Sequence, residues 1–251
     1  MKKIIDFTIQ ENRRLNQDNF LLVLHTENLP EIEAGQFVNV KVENSPETFL
    51  RRPISVHDVD KGLLYLLIKI AGSGTEKLSE LKAGEKLNVL LPLGNSFTIP
   101  ETGRCLLVGG GVGIAPMLHL SKELSAKGLS PVLLIGTRSK KDIVLQDTFS
   151  KYAQVYYTTE DGSYGEQGYP TQHTILHEHF DHIFCCGPEP MMRAVARYAY
   201  SRNIDCEVSL ENMMACGIGA CLCCVTDTKE GNRCVCTEGP VFNIKDLKWQ
   251  I

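Results

Sequence analysis

The chain has 251 residues, a formal net charge of −4 and ten cysteines, and this length accommodates two compact domains with a small appendage. The mild negative charge, without any basic run, argues against nucleic acid and anionic membranes as partners, and no apolar run is long enough to cross a bilayer. Because the sequence turns polar too early for a signal peptide, we expect a cytoplasmic, reducing setting in which the cysteines bind metal instead of forming disulfides.

The first part of the chain, residues 1–101, has the pattern of a small all-β domain. Short apolar runs separated by turn residues lie at residues 20–24, 36–42, 63–70 and 86–91. Repeated short strands of this kind predict an antiparallel barrel. One helix is predicted to interrupt the strands over residues 74–81, with Thr75 as its N-cap.

The second part, residues 102–208, alternates between strands and helices. Strands are predicted at residues 105–108, 131–136, 154–158, 182–186 and 205–209. Helices are predicted between them, at residues 114–127, 142–152, 171–179 and 188–201. This alternation predicts a doubly wound α/β domain with a parallel sheet. Residues 209–251 then form a small C-terminal module.

Two segments of the α/β domain are candidate nucleotide sites. The glycine-rich turn Gly109, Gly110, Gly111 and Gly113 follows a strand and opens a helix, where backbone N–H groups and the helix dipole favour a diphosphate. A tight turn without a ligand is the alternative, and the strand-to-helix context favours the nucleotide. Cys186, Gly187 and Pro188 end another strand at the sheet edge where ligands bind, although a purely structural turn fits this segment equally well.

Two segments of the barrel are candidate phosphate sites. Arg51 and Arg52 precede Pro53, Ile54 and Ser55, and a guanidinium offers phosphate a charged planar fork. From the residues alone, a surface loop with solvated arginines is the commoner interpretation. The turn at residues 72–75 could bind an anion at a helix start, and a plain helix cap fits it as well.

The most specific segment is a cysteine cluster near the C-terminus. Cys216, Cys221 and Cys224 are separated by four and then two residues, which is the plant-type spacing of a [2Fe–2S] cluster. The intervening glycines permit the positive φ angles of a tight loop around an inorganic core. Structural zinc prefers two separated cysteine pairs, and a dithiol redox site would use one pair only. Spacing leaves the fourth ligand open, with Cys223, Cys234 and Cys236 as candidates.

Taken in order, these segments resemble the ferredoxin–NADP reductase superfamily. Arg52 to Ser55 is similar to its flavin motif Arg-x-x-Ser, residues 109–116 to its nicotinamide-dinucleotide loop, and residues 186–191 to its second nucleotide segment. Residues 211–221 and 235–242 narrow the resemblance to the electron-transfer subunits of dihydroorotate dehydrogenase B. The similarity spans nearly the whole chain, and the cysteine segment is its specific part.

The resemblance implies cofactors and the residues around them. It implies FAD in the barrel, NAD as substrate at the two nucleotide segments, and a [2Fe–2S] cluster. The implied flavin residues are Arg52, Pro53, Ile54, Ser55, Leu67, Ile68, Lys69, Gly74 and Thr75. The implied cluster ligands are Cys216, Cys221, Cys224 and Cys236, the last because it directly precedes Thr-Glu-Gly-Pro-Val-Phe. Cys223 and Cys234 then become non-ligands, and the eleven residues before Cys236 are fewer than the family usually has.

The resemblance also implies a function and a partner. The expected function is electron transfer to NAD+ in pyrimidine biosynthesis, by way of the cluster and FAD. The expected partner is an FMN-containing catalytic subunit that oxidises dihydroorotate, with two copies of each subunit. No general acid or base is expected, because the cofactors perform the chemistry.

Two other functions remain open. One is a diaphorase subunit of a sulfhydrogenase or of an NADH-dependent ferredoxin:NADP+ oxidoreductase, which has the same three parts. The other is a non-enzymatic zinc-binding module on a nucleotide-sensing domain. The choice of NAD over NADP follows from the resemblance alone, because Arg138, Lys140 and Lys141 could contact a 2′-phosphate or form a solvated turn.

Overall fold

A computed structural model describes residues 1–43 and 48–250. In these ranges the N-terminal part forms one antiparallel sheet of seven strands, in the spatial order β4-β3-β7-β1-β2-β6-β5. The strands are β1 (Lys3–Arg14), β2 (Asn19–His25), β3 (Phe37–Val40), β4 (Arg52–Ser55), β5 (Asp58–Asp60), β6 (Leu63–Lys69) and β7 (Lys86–Leu93). The antiparallel barrel predicted from the sequence is confirmed.

Alternating side chains build the core of this sheet. In β7, Leu87, Val89 and Leu91 are buried while the residues between them are partly accessible. They pack with Phe7, Phe20 and other apolar side chains in one core cluster. Because successive side chains of a strand point to opposite faces, the other face of the sheet remains available for contacts with the rest of the chain.

One helix, α1 (Ser73–Glu80), joins β6 to β7, as predicted. The prediction of Thr75 as its N-cap is wrong, because the cap is Gly72 and Thr75 lies three residues further on. Thr75 Oγ1 accepts the backbone N–H of Ala71 at 2.8 Å and that of Gly72 at 3.3 Å. The hydroxyl of Thr75, in the first turn of α1, therefore stabilises the bend at Ala71 and Gly72 that leads into the helix.

The second part forms a mostly parallel sheet, which confirms the α/β prediction. Within the described ranges its order is β11-β10-β9-β8-β12-β13-β16. Its strands are β8 (Cys105–Gly110), β9 (Val132–Thr137), β10 (Gln154–Thr159), β11 (Glu166–Gln167), β12 (His182–Cys186), β13 (Asp205–Ser209) and β16 (Val241–Asn243). The strand order reverses between β8 and β12, and ligands of such sheets bind at the carboxyl edge beside this reversal.

The helices of this domain are shorter than the sequence predicts. The α-helices are α2 (Met117–Ala126), α3 (Gln146–Phe149) and α4 (Glu189–Ser201). The helix predicted at residues 171–179 is wrong: two 3₁₀ turns, Pro170–Gln172 and Thr174–His177, replace it. His173 is extended between the two turns (ψ 138°), and its Nδ1 accepts the N–H of Ile175 at 2.9 Å. This bond starts a new turn and prevents a continuous helix.

The C-terminal module is packed onto both sheets. It contains the hairpin β14 (Val225–Thr228) and β15 (Gly231–Cys234), helix α5 (Val235–Glu238) and then β16, which pairs antiparallel with β13. Asn95, just after the barrel, donates to the carbonyl of Val241 at 2.8 Å and accepts its N–H at 2.9 Å. One of the core clusters contains residues of all three segments, Phe37 and Leu93 of the barrel among them. The domain boundaries drawn from the sequence remain predictions. No helix in the described part of the chain is long and apolar enough to cross a membrane.

Candidate functional site

A cavity of about 500 Å³ lies between the barrel and the carboxyl edge of the parallel sheet. The barrel contributes Leu67 and Lys69, from the end of β6, to its wall. The parallel sheet contributes the predicted glycine turn, through Gly110 and Gly111, and the second predicted segment, through Pro188. Residues from the predicted flavin and nucleotide segments therefore border the same space.

The two predicted nucleotide segments are pressed against each other. A Cβ at Gly113 would lie 2.3 Å from the carbonyl oxygen of Cys186 and 2.6 Å from Cα of Gly187. A Cβ at Gly110 would lie 2.9 Å from Cδ of Pro188. Only glycine allows backbones to approach this closely. Gly111 has φ of +56° and open space beside it, so the turn presents bare backbone to the cavity, as diphosphate binding requires.

The predicted flavin segments also meet. The guanidinium of Arg52 lies against the start of α1, where a Cβ at Gly74 would be 2.5 Å from Arg52 Nε. Arg51 has a structural role, because its Nη1 donates to the carbonyls of Asn39 and Asn88 at 3.2 Å each. Ile68 is buried in the barrel core, so only its backbone can reach a ligand. Arg52 Nη1 donates to the carbonyl of Leu50 at 2.8 Å, while its Nε and Nη2 lie beside Gly74. Arg52 is therefore the arginine that can reach a phosphate at the start of α1.

A buried histidine joins the barrel to the α/β domain, and no pattern in the sequence indicated it. His57 is fully buried, and its Nδ1 lies 2.8 Å from the carbonyl oxygen of Ala115. Burial lowers the pKa of His57 to about 4, so the ring is neutral near pH 7. Beside it, Lys122 Nζ contacts both carboxylate oxygens of Asp58, at 2.8 and 2.9 Å. These contacts join the barrel to the segment that follows the glycine turn.

Three polar groups, Cys186, Glu211 and Lys69, act on one another near the cavity, and Lys69 lines its wall. Burial raises the pKa of the Cys186 thiol far above its usual value, and the negative charge of Glu211 adds to this effect. Desolvation raises the pKa of Glu211, and the charge of Lys69 partly offsets it. Cys186 is therefore a neutral thiol near pH 7. The ionisable groups that act on this part of the site are Glu211 and Lys69, which ends β6.

The cysteine segment forms a loop whose N–H groups point at sulfur. Cys216 Sγ accepts the N–H groups of Ile218 and Cys221, each at 3.4 Å. Cys236 Sγ accepts the N–H of Gly219 at 3.2 Å. The loop can turn this way because Gly217 and Gly219 have φ of +71° and +83°, values that glycine adopts without strain.

The electrostatics of the thiols follow from these contacts. The N–H of Ile218, followed by the contacts with Cys221, lowers the pKa of Cys216 to about 6. Burial, followed by the hydrogen bond with Cys224, raises the pKa of Cys236 to about 12. Thiolates are the form that ligates iron, and the same N–H groups stabilise sulfur that carries negative charge. A donor set of thiols with N–H groups directed at them fits an iron–sulfur cluster.

The three candidates for the fourth ligand, Cys223, Cys234 and Cys236, have different surroundings. The backbone N–H of Cys236 donates to Cys224 Sγ at 3.4 Å, which joins two of the predicted ligands. Cys234 is also buried near Cys224, and its backbone N–H donates to the carboxylate of Glu238 at 2.8 Å. Cys223 is exposed. Cys236 alone of these three receives an N–H from the glycine loop in the described contacts.

Comparison with known proteins identifies the family. A family model of the iron–sulfur cluster binding domain of dihydroorotate dehydrogenase B matches residues 211–248, and one of the oxidoreductase NAD-binding domain matches residues 107–197. A relative from Fusobacterium nucleatum, the dihydroorotate dehydrogenase B (NAD(+)) electron transfer subunit, is 34% identical over 98% of this chain and 99% of its own. The relative of the same name from Clostridium perfringens is 38% identical over 94% of each chain.

The chain belongs to the family of dihydroorotate dehydrogenase B electron transfer subunits. Membership of this family confirms the predicted oxidoreductase function and the predicted set of iron–sulfur cluster, flavin and NAD. Among solved structures, the NADH-dependent reduced ferredoxin-NADP oxidoreductase, studied for flavin-based electron bifurcation, aligns with a TM-score of 0.88. It is 29% identical and covers 97% of this chain and 90% of its own. The ferredoxin reductase of carbazole 1,9a-dioxygenase shares the fold, with a TM-score of 0.70 at 23% identity, over 81% of this chain and 67% of its own.

Proposed function

We propose that this chain takes electrons from an FMN-containing subunit that oxidises dihydroorotate and delivers them to NAD+ in pyrimidine biosynthesis. The partner is a separate chain, and the complex contains two copies of each subunit. When bound, the flavin exchanges electrons in pairs or singly and the cluster exchanges them one at a time. The residues of this chain bind and orient these groups and exclude water from the site between them.

Each group is assigned to its own set of residues. Arg52, with the turn at Gly74 and Thr75, would hold the phosphates of FAD, and the other residues of β4 and the end of β6 would contact the rest of the molecule. The dinucleotide lies on the turn formed by Gly109, Gly110, Gly111 and Gly113 and on the segment from Cys186 to Pro188. The cluster is ligated by Cys216, Cys221, Cys224 and Cys236. Support for these sets comes from the contacts within each segment and from the shared cavity.

The observation that carries the proposal is the surface position of the cysteine loop. Cys221 is exposed, and large apolar side chains of the same segment are exposed with it: Met213 (86%), Ile218 (51%) and Leu222 (64%). Exposed apolar side chains grouped in this way are typical of a protein interaction site. A one-electron carrier held here is within reach of a docked partner, while the barrel lies on its other side.

The state of the cysteines supports a reducing compartment. All ten lie in the described part of the chain, and all ten are free. Free thiols in this number are typical of proteins kept in the cytoplasm. We therefore place the complex there.

The test is reconstitution with the partner. Anaerobically purified protein should show flavin absorbance and the rhombic EPR signal of a reduced [2Fe–2S] cluster. After mixing with an FMN-containing dihydroorotate dehydrogenase subunit, it should form NADH from dihydroorotate and NAD+, and a Cys223→Ser variant should do the same. One zinc per chain without iron contradicts the proposal, and so does a protein with both cofactors that forms no NADH.

A second function is favoured by one observation, the TM-score of 0.88 to the NADH-dependent reduced ferredoxin-NADP oxidoreductase. A diaphorase subunit in such a complex would take reduced ferredoxin, not dihydroorotate, as the electron source. The turn that contains Arg138, Lys140 and Lys141 argues against NADP at this site. Arg138 Nη2 already lies 3.4 Å from Asp18 Oδ2 and 3.6 Å from Asp142 Oδ1, so two carboxylates occupy the place of a 2′-phosphate. NADPH formation with ferredoxin in the reconstitution would favour the second function.

A further inference from the structure

One polar side chain of the barrel lacks the partners that its burial demands. Asn39, in β3, is fully buried, and neither its Nδ2 nor its Oδ1 has a hydrogen-bond partner among the described residues. Its backbone carbonyl does accept a hydrogen bond, from Arg51. Buried side-chain amides are nearly always hydrogen-bonded in native proteins, so an unpaired one indicates a group that belongs beside it.

The pleat of β3 shows where Asn39 points. Val38 and Val40 enter the barrel core, so Phe37 and Asn39 lie on the opposite face. Phe37 packs in the core cluster that also contains Cys224 and Cys236. The amide of Asn39 is therefore directed away from the barrel and toward the cysteine loop.

The contact with the loop is direct. A Cβ at Gly217 would lie 2.3 Å from Asn39 Nδ2 and 3.4 Å from Cδ1 of Leu93. Gly217 separates Cys216 from Ile218, whose N–H is bonded to Cys216 Sγ. The amide of Asn39 thus touches the loop at the residue next to a predicted cluster ligand, and a side chain at Gly217 would push it away.

We propose that Asn39 is a positioning residue for the iron–sulfur cluster and donates a hydrogen bond from Nδ2 to sulfur of the occupied loop. Thiolate and sulfide sulfur accept hydrogen bonds and do not donate them. The NH₂ group of the amide must therefore be the part that binds sulfur, because the amide oxygen is only an acceptor. It adds a side-chain donor from the barrel to the backbone donors Ile218 and Gly219. This inference rests on the cluster assignment of the proposed function.

The expected consequence is a shift in the redox potential. The reduced cluster carries one more negative charge than the oxidised cluster, and a donor N–H stabilises the more negative state. Hydrogen bonds to sulfur are among the factors that set cluster potentials. Removal of the donor should therefore make the midpoint potential of the cluster more negative and leave the flavin potential in place.

The experiment is an EPR-monitored redox titration of the full-length, cofactor-loaded protein. Asn39→Leu removes the donor at similar size, and Asn39→Ala removes it without adding bulk. The control is Asn12→Leu, at a half-buried asparagine of β1 that donates to the carbonyls of Leu78 and Leu81 at 3.0 and 2.8 Å. Resonance Raman spectra of the Fe–S stretching region provide a readout that is independent of activity.

The expected result is a more negative cluster midpoint and altered Fe–S stretching frequencies in both Asn39 variants, with neither change in Asn12→Leu. If Asn39→Leu fails to retain the cluster, Asn39→Ala decides the question, because it removes the amide without placing a larger side chain against Gly217. An unchanged cluster midpoint overturns the inference, and so does a shift confined to the flavin. Absence of a cluster signal in the unmodified protein overturns the cluster assignment itself, so the two failures are distinguishable.

Discussion

The four cysteines of the parallel sheet and Cys216 of the cysteine loop are in opposite electrostatic states. The four sheet cysteines are fully or almost fully buried among apolar side chains, and burial raises their pKa values, that of Cys105 to about 11. In the loop, the N–H of Ile218 lowers the pKa of Cys216 to about 6. Burial and the backbone N–H groups around a thiol, more than the residue type, therefore decide how much of it is thiolate near pH 7.

The two regions also use glycine in different ways. At the sheet edge, Gly113 has no side chain because the backbone of Cys186 occupies that space, 2.3 Å from where a Cβ would lie. In the loop, Gly217 and Gly219 have positive φ angles, which turn successive N–H groups toward sulfur. One set of glycines thus brings two segments together, and the other shapes a single segment.

The largest expected effect is loss of the cluster on substitution of a loop cysteine. Cys236→Ser should abolish iron binding and the EPR signal of the reduced cluster, because a hydroxyl does not replace the thiolate. Cys185→Ala, in the sheet, should keep the full iron content, since its thiol is buried in the core. Iron analysis and EPR of the two anaerobically purified variants measure the iron content and the cluster signal.

The same experiment tests which cysteine is the fourth ligand. Cys234→Ser should retain the cluster, although Cys234 lies near Cys224 as Cys236 does. Loss of the cluster in Cys234→Ser together with its retention in Cys236→Ser would show that the assigned ligand set is wrong by one cysteine.

The next effect concerns thiol reactivity in protein stripped of iron. With pKa values of about 6 and about 11, the thiolate fraction at pH 7 differs by about 10⁴-fold between Cys216 and Cys105. Timed iodoacetamide labelling, followed by peptide mass spectrometry, should modify Cys216 first and the sheet cysteines only after unfolding. Equal labelling rates in the native protein would refute the contrast between the two regions.

A smaller effect is expected at the glycine turn of the sheet. Gly113→Ala places a methyl group on the backbone of Cys186 and should separate the two nucleotide segments, at a cost in stability of about 1–3 kcal/mol. We expect KM for NADH to rise about tenfold, in line with a loss of about 1.4 kcal/mol of binding. Steady-state diaphorase assays with an artificial acceptor measure this, with Ser125→Ala, exposed on α2, as the control. An unchanged KM would show that the turn does not contact the dinucleotide.

Local patterns in the sequence predicted the fold well. Strand-and-helix alternation located all five strands predicted after residue 102, because a buried strand is visible as a short apolar run. The helix predicted at residues 171–179 failed because Pro170 and the His173–Ile175 bond divide that segment into separate turns. Such hydrogen bonds depend on side-chain geometry, and the periodicity of apolar residues in the sequence carries no information about it.

The candidate site was only partly predictable for a related reason. Cysteine spacing indicated the cluster, since its ligands lie close together in sequence. Asn39 and His57 act through residues far away in the chain, Gly217 and Ala115, and no local pattern marks such contacts. The choice between Cys234 and Cys236 came from the family pattern, and the N–H of Gly219 gives it physical support.

The last prediction concerns His57, which lies between the two regions that form the cavity. Besides the Ala115 carbonyl, the charged groups that act on it are Asp58, which raises its pKa, and His119 and Lys122, which lower it. With a folded pKa of about 4 and an unfolded pKa of 6.5, the unfolded state binds the proton first. The stability contributed by the neutral ring is therefore complete only well above pH 6.5, and it falls as the pH decreases through 6.5 toward 4. By linkage the loss is about 2 kcal/mol at pH 5 relative to pH 7.5.

His57→Asn should reduce this pH dependence, because its amide N–H can replace Nδ1 as a donor to Ala115 and does not titrate. Urea unfolding at pH 7.5 and pH 5.0, followed by circular dichroism, measures the difference. Both proteins should carry the Cys236→Ser substitution and the same flavin content, so that acid loss of the cluster does not contribute. If the variant loses as much stability as its parent between these pH values, His57 is not the group responsible. In that case the acid sensitivity belongs to a carboxylate, and the Lys122–Asp58 contact beside His57 is the next to test.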